Sequence, residues 1–175
     1  MADLPPARER LQPALLDRLT DDEPEQRQET ESLRVMSKTQ LRQAVLRDLG
    51  ALFNAVQPLG VEAEPYPLLA ESVLNFGLPS LSGQLASKLD IGGLENAIRQ
   101  AILRFEPRIL ADTLQVTALE ASNVLDTHNV IEFEIRGHLW SQPVPLEILL
   151  RTQLDLEAGQ IEMRDVAGVA PSKAR

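Results

Sequence analysis

The chain has no cysteine, only 3% aromatic residues, and no apolar run close to the length of a bilayer span. The first absence excludes disulfides, thiolate metal sites and a cysteine nucleophile. The second leaves little surface on which bases or sugars could stack, so the core must come from Leu, Ile, Val and Ala. The third leaves no segment approaching the roughly 20 apolar residues that a membrane helix needs. Positive charge is also scarce, with 17 Lys and Arg against 26 Asp and Glu and a net charge of −9. Nucleic-acid phosphates and anionic membranes are poor partners for such a surface. The start, Met1-Ala2-Asp3-Leu4-Pro5-Pro6, lacks the basic and apolar regions of a secretory signal, so a cytoplasmic location is expected.

With 175 residues, 43% hydrophobic and 25% charged, the chain suits one folded domain with tails. Its organising stretch runs from Leu94 to Phe105. Leu94, Ala97, Ile98, Ala101, Ile102 and Phe105 lie on one helical stripe, opposite Glu95, Arg99 and Gln100. Gly92-Gly93 precedes this helix, and Pro107 ends it by disfavouring helical geometry at Glu106. Before this point the pattern is helical; after it the period is two.

Residues 1–36 are expected to be an N-terminal arm, 37–167 an α+β domain and 168–175 a disordered tail. In the arm, Leu11, Leu15, Leu16 and Leu19 make an apolar cluster too short to persist alone as helix, followed by an acidic, proline-broken linker over 20–31. Those leucines suit either a frayed terminus packed on its own domain or a short docking peptide. Ser37-Lys38-Thr39-Gln40 fits a capping box, opening a helix expected from about Lys38 to Val56. A short helical piece near Leu68 to Leu74 leads into the loop Asn75-Phe76-Gly77-Leu78-Pro79-Ser80-Leu81-Ser82-Gly83, whose Phe76, Leu78 and Leu81 should anchor it to the core.

Alternation predicts strands over Asp112–Leu119, Asn129–Trp140, Val144–Leu156 and Gln160–Val166. Short connections favour an antiparallel meander of about three or four strands, with the amphipathic helices packed on one face.

The chemical inventory is thin. His128 and His138 are the only histidines and no metal spacing is present, so neither a metal nor a cofactor is expected. No glycine-rich phosphate loop and no nucleophile elbow is found. Glu132 and Glu134 share a strand face at a separation a glycosidase could use, yet alternating charge is the ordinary solvated face of a sheet. Glu106-Pro107-Arg108 is the remaining candidate. Both charged residues can point outward and each bind a separate partner group, or they can form a local corner that pairs within the fold. In the outward arrangement, Glu106→Ala or Arg108→Ala would leave the isolated chain folded.

Leu15-Leu16-Asp17-Arg18-Leu19-Thr20-Asp21-Asp22-Glu23-Pro24, Ser72-Val73-Leu74-Asn75-Phe76-Gly77-Leu78-Pro79 and the amphipathic helix ending in Phe105-Glu106-Pro107-Arg108 resemble the TssE family in the same order. These are small baseplate subunits of the bacterial type VI secretion system, similar to a wedge subunit of contractile phage tails and historically labelled lysozyme-like. The resemblance implies a non-enzymatic role in a wedge with TssF, TssG and TssK, and a start point for assembly of the sheath subunits. It implies partner binding by Glu106, Pro107 and Arg108, and the arm's Leu15, Leu16, Arg18 and Leu19 are expected to contribute. A phage-tail wedge subunit and, further off, a peptidoglycan-cleaving enzyme are the alternatives.

Overall fold

The computed structural model describes residues 14–20, 36–59, 65–80, 90–119 and 130–166. The acidic linker, Leu11, Leu81, the connection over 122–128 and the C-terminal tail lie outside the described residues.

Helix α1 is the short piece Leu15–Leu19 of the arm. Helix α2, Lys38–Phe53, opens with the expected capping box: Gln40 N donates to Ser37 Oγ at 3.2 Å, and Ser37 N donates to Gln40 Oε1 at 2.8 Å. Met36, assigned to the arm by the sequence, is already buried with the core. The helix ends short of Val56 because Asn54 takes the C-cap and turns its side chain to the sheet. Val56 instead forms a bridge with Leu78.

The piece expected over Leu68–Leu74 divides into α3, Pro67–Ala70, and a 3-10 turn over Val73–Asn75 started by Ser72. The following loop is fixed as expected. Leu78 N donates to Ala55 O at 2.9 Å, Gln57 N donates to Leu78 O at 2.8 Å, and Leu78 is buried. Phe76 packs edge-on against Phe105 with ring centroids 5.2 Å apart. The close approach of this loop to the Ala55 backbone requires Gly77, whose φ is 126° and where a Cβ would fall 2.4 Å from Ala55 O.

Helix α4, Ile91–Phe105, begins ahead of the glycines rather than after them. Asp90 caps it by accepting from Gly93 N at 3.0 Å, which holds both glycines in the first turn despite their low propensity. Leu94, Ile98, Ala101 and Ile102 are buried, and the helix ends at Phe105, where Pro107 disfavours helical geometry at Glu106.

The strands β1 (Gln115–Leu119), β2 (Val130–Leu139), β3 (Leu146–Asp155) and β4 (Gln160–Asp165) form an antiparallel meander in chain order. Phe133, Ile135, Leu139, Ile148, Leu150, Leu154 and Ile161 point inward with Leu41, Val45, Leu49 and Leu52 of α2 and the apolar face of α4. The architecture is the expected α+β, helices on one face of a meander.

Both sheet edges carry side chains from the helices. At β1, Ala118 N donates to Glu95 Oε1 at 2.6 Å, so Glu95 does not simply face solvent. At β4, Asn54 imitates a neighbouring strand: its Oδ1 accepts from Ile161 N and its Nδ2 donates to Ile161 O, each at 3.0 Å. Such contacts keep an open ladder from recruiting another chain freely.

Gly77→Ala should destabilise the fold by about 2–4 kcal/mol, since it adds a steric clash at a backbone angle L-residues rarely adopt. Thermal unfolding of the variant against the parent chain checks this, and an unchanged Tm would contradict the loop packing.

Candidate partner-docking site

The corner between α4 and the sheet is stapled from both sides. Glu106 N donates to Ile102 O at 2.8 Å, which finishes the helix. Trp140 N donates to Arg108 O at 2.7 Å, and Leu110 N donates to His138 O at 2.9 Å, which attaches the corner to the end of β2. Thr113 Oγ1 accepts from His138 N at 3.0 Å and closes the following turn.

Within this frame Glu106 and Arg108 bind each other, which is the local corner of the two arrangements and not two outward groups with separate partners. Arg108 Nε donates to Glu106 Oε1 at 2.6 Å and Nη2 donates to Oε2, a bidentate pair across the proline. The Arg108 backbone N–H also donates to Glu106 Oε1 at 3.2 Å. Residues two apart do not meet on a helix, but Pro107 folds the chain into a turn, closed by Ile109 N donating to Glu106 O at 3.2 Å. Only 3% of Glu106 is exposed. A carboxylate so placed needs the guanidinium.

The pair extends outward as a chain of alternating charge. Arg108 Nη2 donates to Asp48 Oδ2 of α2 at 2.6 Å, and Arg47 Nε donates to Asp48 Oδ1 at 2.9 Å. Arg47 Nη1 donates in turn to Asp17 of α1. Asp17 Oδ2 also accepts from Ala14 N at 3.1 Å, holding the turn that carries the arm's leucines. Burial alone would lower the Arg108 pKa, but its bonds to Glu106 and then Asp48 outweigh this and raise it above the ordinary arginine value. Arg47 is raised by its bonds to Asp17 and Asp48. A raised arginine pKa adds stability below the ordinary value that is lost only as pH rises through the folded value, so both stay charged throughout the neutral range.

Against this chain lies a cleft of about 440 Å³. Leu49, Leu52, Phe76 and Phe105 supply apolar lining, with Ala14 and Ala51 contributing small side chains and Pro107 a rigid one. Asp48, Glu106 and Arg108 form its charged end. Among the described residues no further acceptor is bonded to Arg108 Nη1, so that edge of the guanidinium keeps donors for an incoming group. Of the other residues expected to bind partners, Leu15, Leu16 and Leu19 are exposed by 71%, 55% and 74%, and Arg18 is exposed beside them.

Asp17, Arg47, Asp48 and Asn54 were not foreseen as site or edge residues. Their partners lie 30, 60 and 107 positions away, a separation that helical periodicity does not encode. Asp48 did carry one hint, as an acidic residue flanking the buried Leu49 on an otherwise readable helix.

The other candidates behave as a solvated sheet face. Glu134 accepts from Arg136 Nε at 2.6 Å and lies 3.8 Å from Arg151 Nε, while Glu132 accepts from Gln153 Nε2 at 2.7 Å. Among the described residues no group of His, Asp or Glu could hold a metal ion, and no helix is long and apolar enough to cross a membrane.

The site is thus a partly apolar cleft at a charged corner of an α+β fold. The family model for baseplate wedge protein gp25 matches residues 39–144, well over half the chain. The chain belongs to this family, which includes TssE. No curated protein and no solved structure matches it.

Arg108→Ala should leave Glu106 buried with only a backbone donor. With Arg108 partly solvated, we expect a loss of about 2–3 kcal/mol, at the lower side of a broken buried pair. That corresponds to a Tm roughly 4–12 °C lower. Arg108→Lys should recover only part of it, because an ammonium cannot form the two-pronged pair. Thermal melts of both variants decide the matter; a parental Tm for Arg108→Ala would return the outward arrangement.

Proposed function

We propose that this chain is the TssE-type subunit of a type VI secretion baseplate, a non-enzymatic adaptor within the wedge of TssF, TssG and TssK. One observation carries the reading: two of the three segments that resemble TssE line one cleft, and the third begins one residue after Ala14, which also lines it. Ala14 at the head of the leucine arm, Phe76 of the Asn-Phe-Gly-Leu-Pro loop and the Glu-Pro-Arg corner all line the same cleft. A depression bounded by segments so distant in sequence, with an apolar floor and a charged end, suits a docking surface.

The partner side follows from the chemistry. The apolar lining takes one or two aliphatic or aromatic side chains. The free Nη1 edge of Arg108 takes an oxygen acceptor. Three carboxylates already share two guanidiniums here, so an uncharged carbonyl suits this place better than another carboxylate. The exposed leucines of α1 extend the apolar surface beyond the cleft.

The same reading assigns the chain a part in starting the sheath. If sheath subunits add a strand at a sheet edge, Glu95 at β1 or Asn54 at β4 must first be displaced. The phage-tail alternative differs in gene neighbourhood, with capsid genes in place of secretion genes. A lysozyme-like activity would show as clearing of purified cell wall.

Ala51→Trp provides the test, because Ala51 is an exposed helix position whose side chain lines the cleft. Filling the cleft should leave the Tm within about 2 °C, as exposed substitutions usually do. It should reduce co-purification of TssF and TssG by about tenfold or more. Full recovery of the wedge with this variant would refute docking at the cleft.

A further inference from the structure

The docking reading leaves unexplained why the arm's Asp17 is tied to a chain of charges that ends on the buried Glu106. We propose that Asp17, Arg47 and Asp48 are positioning residues that set the arm and the Arg108 guanidinium as one unit. The inference rests on the cleft being a docking site, yet concerns how that site is held.

The geometry is continuous. Asp17 of α1 is bonded to Arg47, Arg47 to Asp48, Asp48 to Arg108 and Arg108 to Glu106. Each interior member has an opposite charge on either side, so no link changes without leaving its neighbour unbalanced. At one end Asp17 holds the turn at Ala14, which lines the cleft. At the other end the bonds from Asp48 and Glu106 fix the plane of the guanidinium and hence the direction of its free Nη1 edge.

Helix α1 is too short to keep its place by its own hydrogen bonds, and its three leucines are exposed. Among the described residues, its ion pair to Arg47 is the one hydrogen-bonded tie from α1 to the rest of the fold. If Asp17 lets go, Arg47 is free to take more of Asp48, and the hold of Asp48 on Arg108 weakens. If Arg108 is displaced, Asp48 turns to Arg47 and competes with Asp17. The wall of the cleft and its polar end thus respond together. A partner meets either both in place or neither.

The absence of cysteine makes the test direct, because spin labels can be placed on the full chain at Leu19→Cys and Thr117→Cys. The inter-label distance reports the arm with no partner present. The Nε–Hε nuclear magnetic resonance signal of Arg108, assigned by its loss in Arg108→Lys, reports the corner. Asp17→Asn should broaden the distance distribution and also shift the Arg108 signal or speed its solvent exchange. Arg108→Lys should broaden the distance distribution in turn. Wedge capture should fall about tenfold in either variant and little further in the double variant, because coupled sites are not additive. An arm that moves while the Arg108 signal stays, or a distance distribution unaffected by either substitution, overturns the coupling. Coupling present with wedge capture unchanged supports the positioning chain and counts instead against docking at the cleft.

Discussion

The pair between Glu106 and Arg108 is the constraint on which the rest of this structure turns. It closes over a proline at the point where the chain leaves its central helix and enters its sheet. A carboxylate 3% exposed is costly to bury alone, so the guanidinium must come with it. Pro107 prevents α4 from running on, and Ile102, Trp140 and His138 fix the backbone on both sides. The corner thereby sets the angle between α4 and β2, and with it the shape of the core beneath.

A corner built this way has two consequences that separate models of a surface motif do not share. It contributes to folding, because its charges are paired inside the protein. It also leaves one edge of the guanidinium without an acceptor among the described residues, beside an apolar cleft. Binding to a group already held in place requires less ordering than binding to a free surface arginine. The structural role and the proposed docking role are therefore one arrangement viewed from its two sides. The charge chain to Asp48, Arg47 and Asp17 links that corner to the arm.

Much of the fold was legible from periodicity. The stripe Leu94, Ile98, Ala101, Ile102 and the alternation Phe133, Ile135, Leu139 are buried as their spacing requires. Local rules that compete with periodicity moved the boundaries. Asp90 capped α4 ahead of its glycines, and Asn54 ended α2 early by turning to β4. The corner was legible only as a motif. That Glu106 and Arg108 face each other follows from a turn geometry that helical spacing denies, and the bonds to Asp48 and Asp17 cross 60 and 30 positions. No local pattern announces such contacts.

The central claim is that the cleft beside the Glu-Pro-Arg corner meets another baseplate subunit. A photoreactive amino acid placed at Ala51, compared with one at Thr117 on the open face of the sheet, tests it most directly in the purified wedge. The account predicts a covalent link from position 51 to TssF or TssG and little from position 117. Links from 117 with none from 51 would place the contact on the sheet face and contradict it.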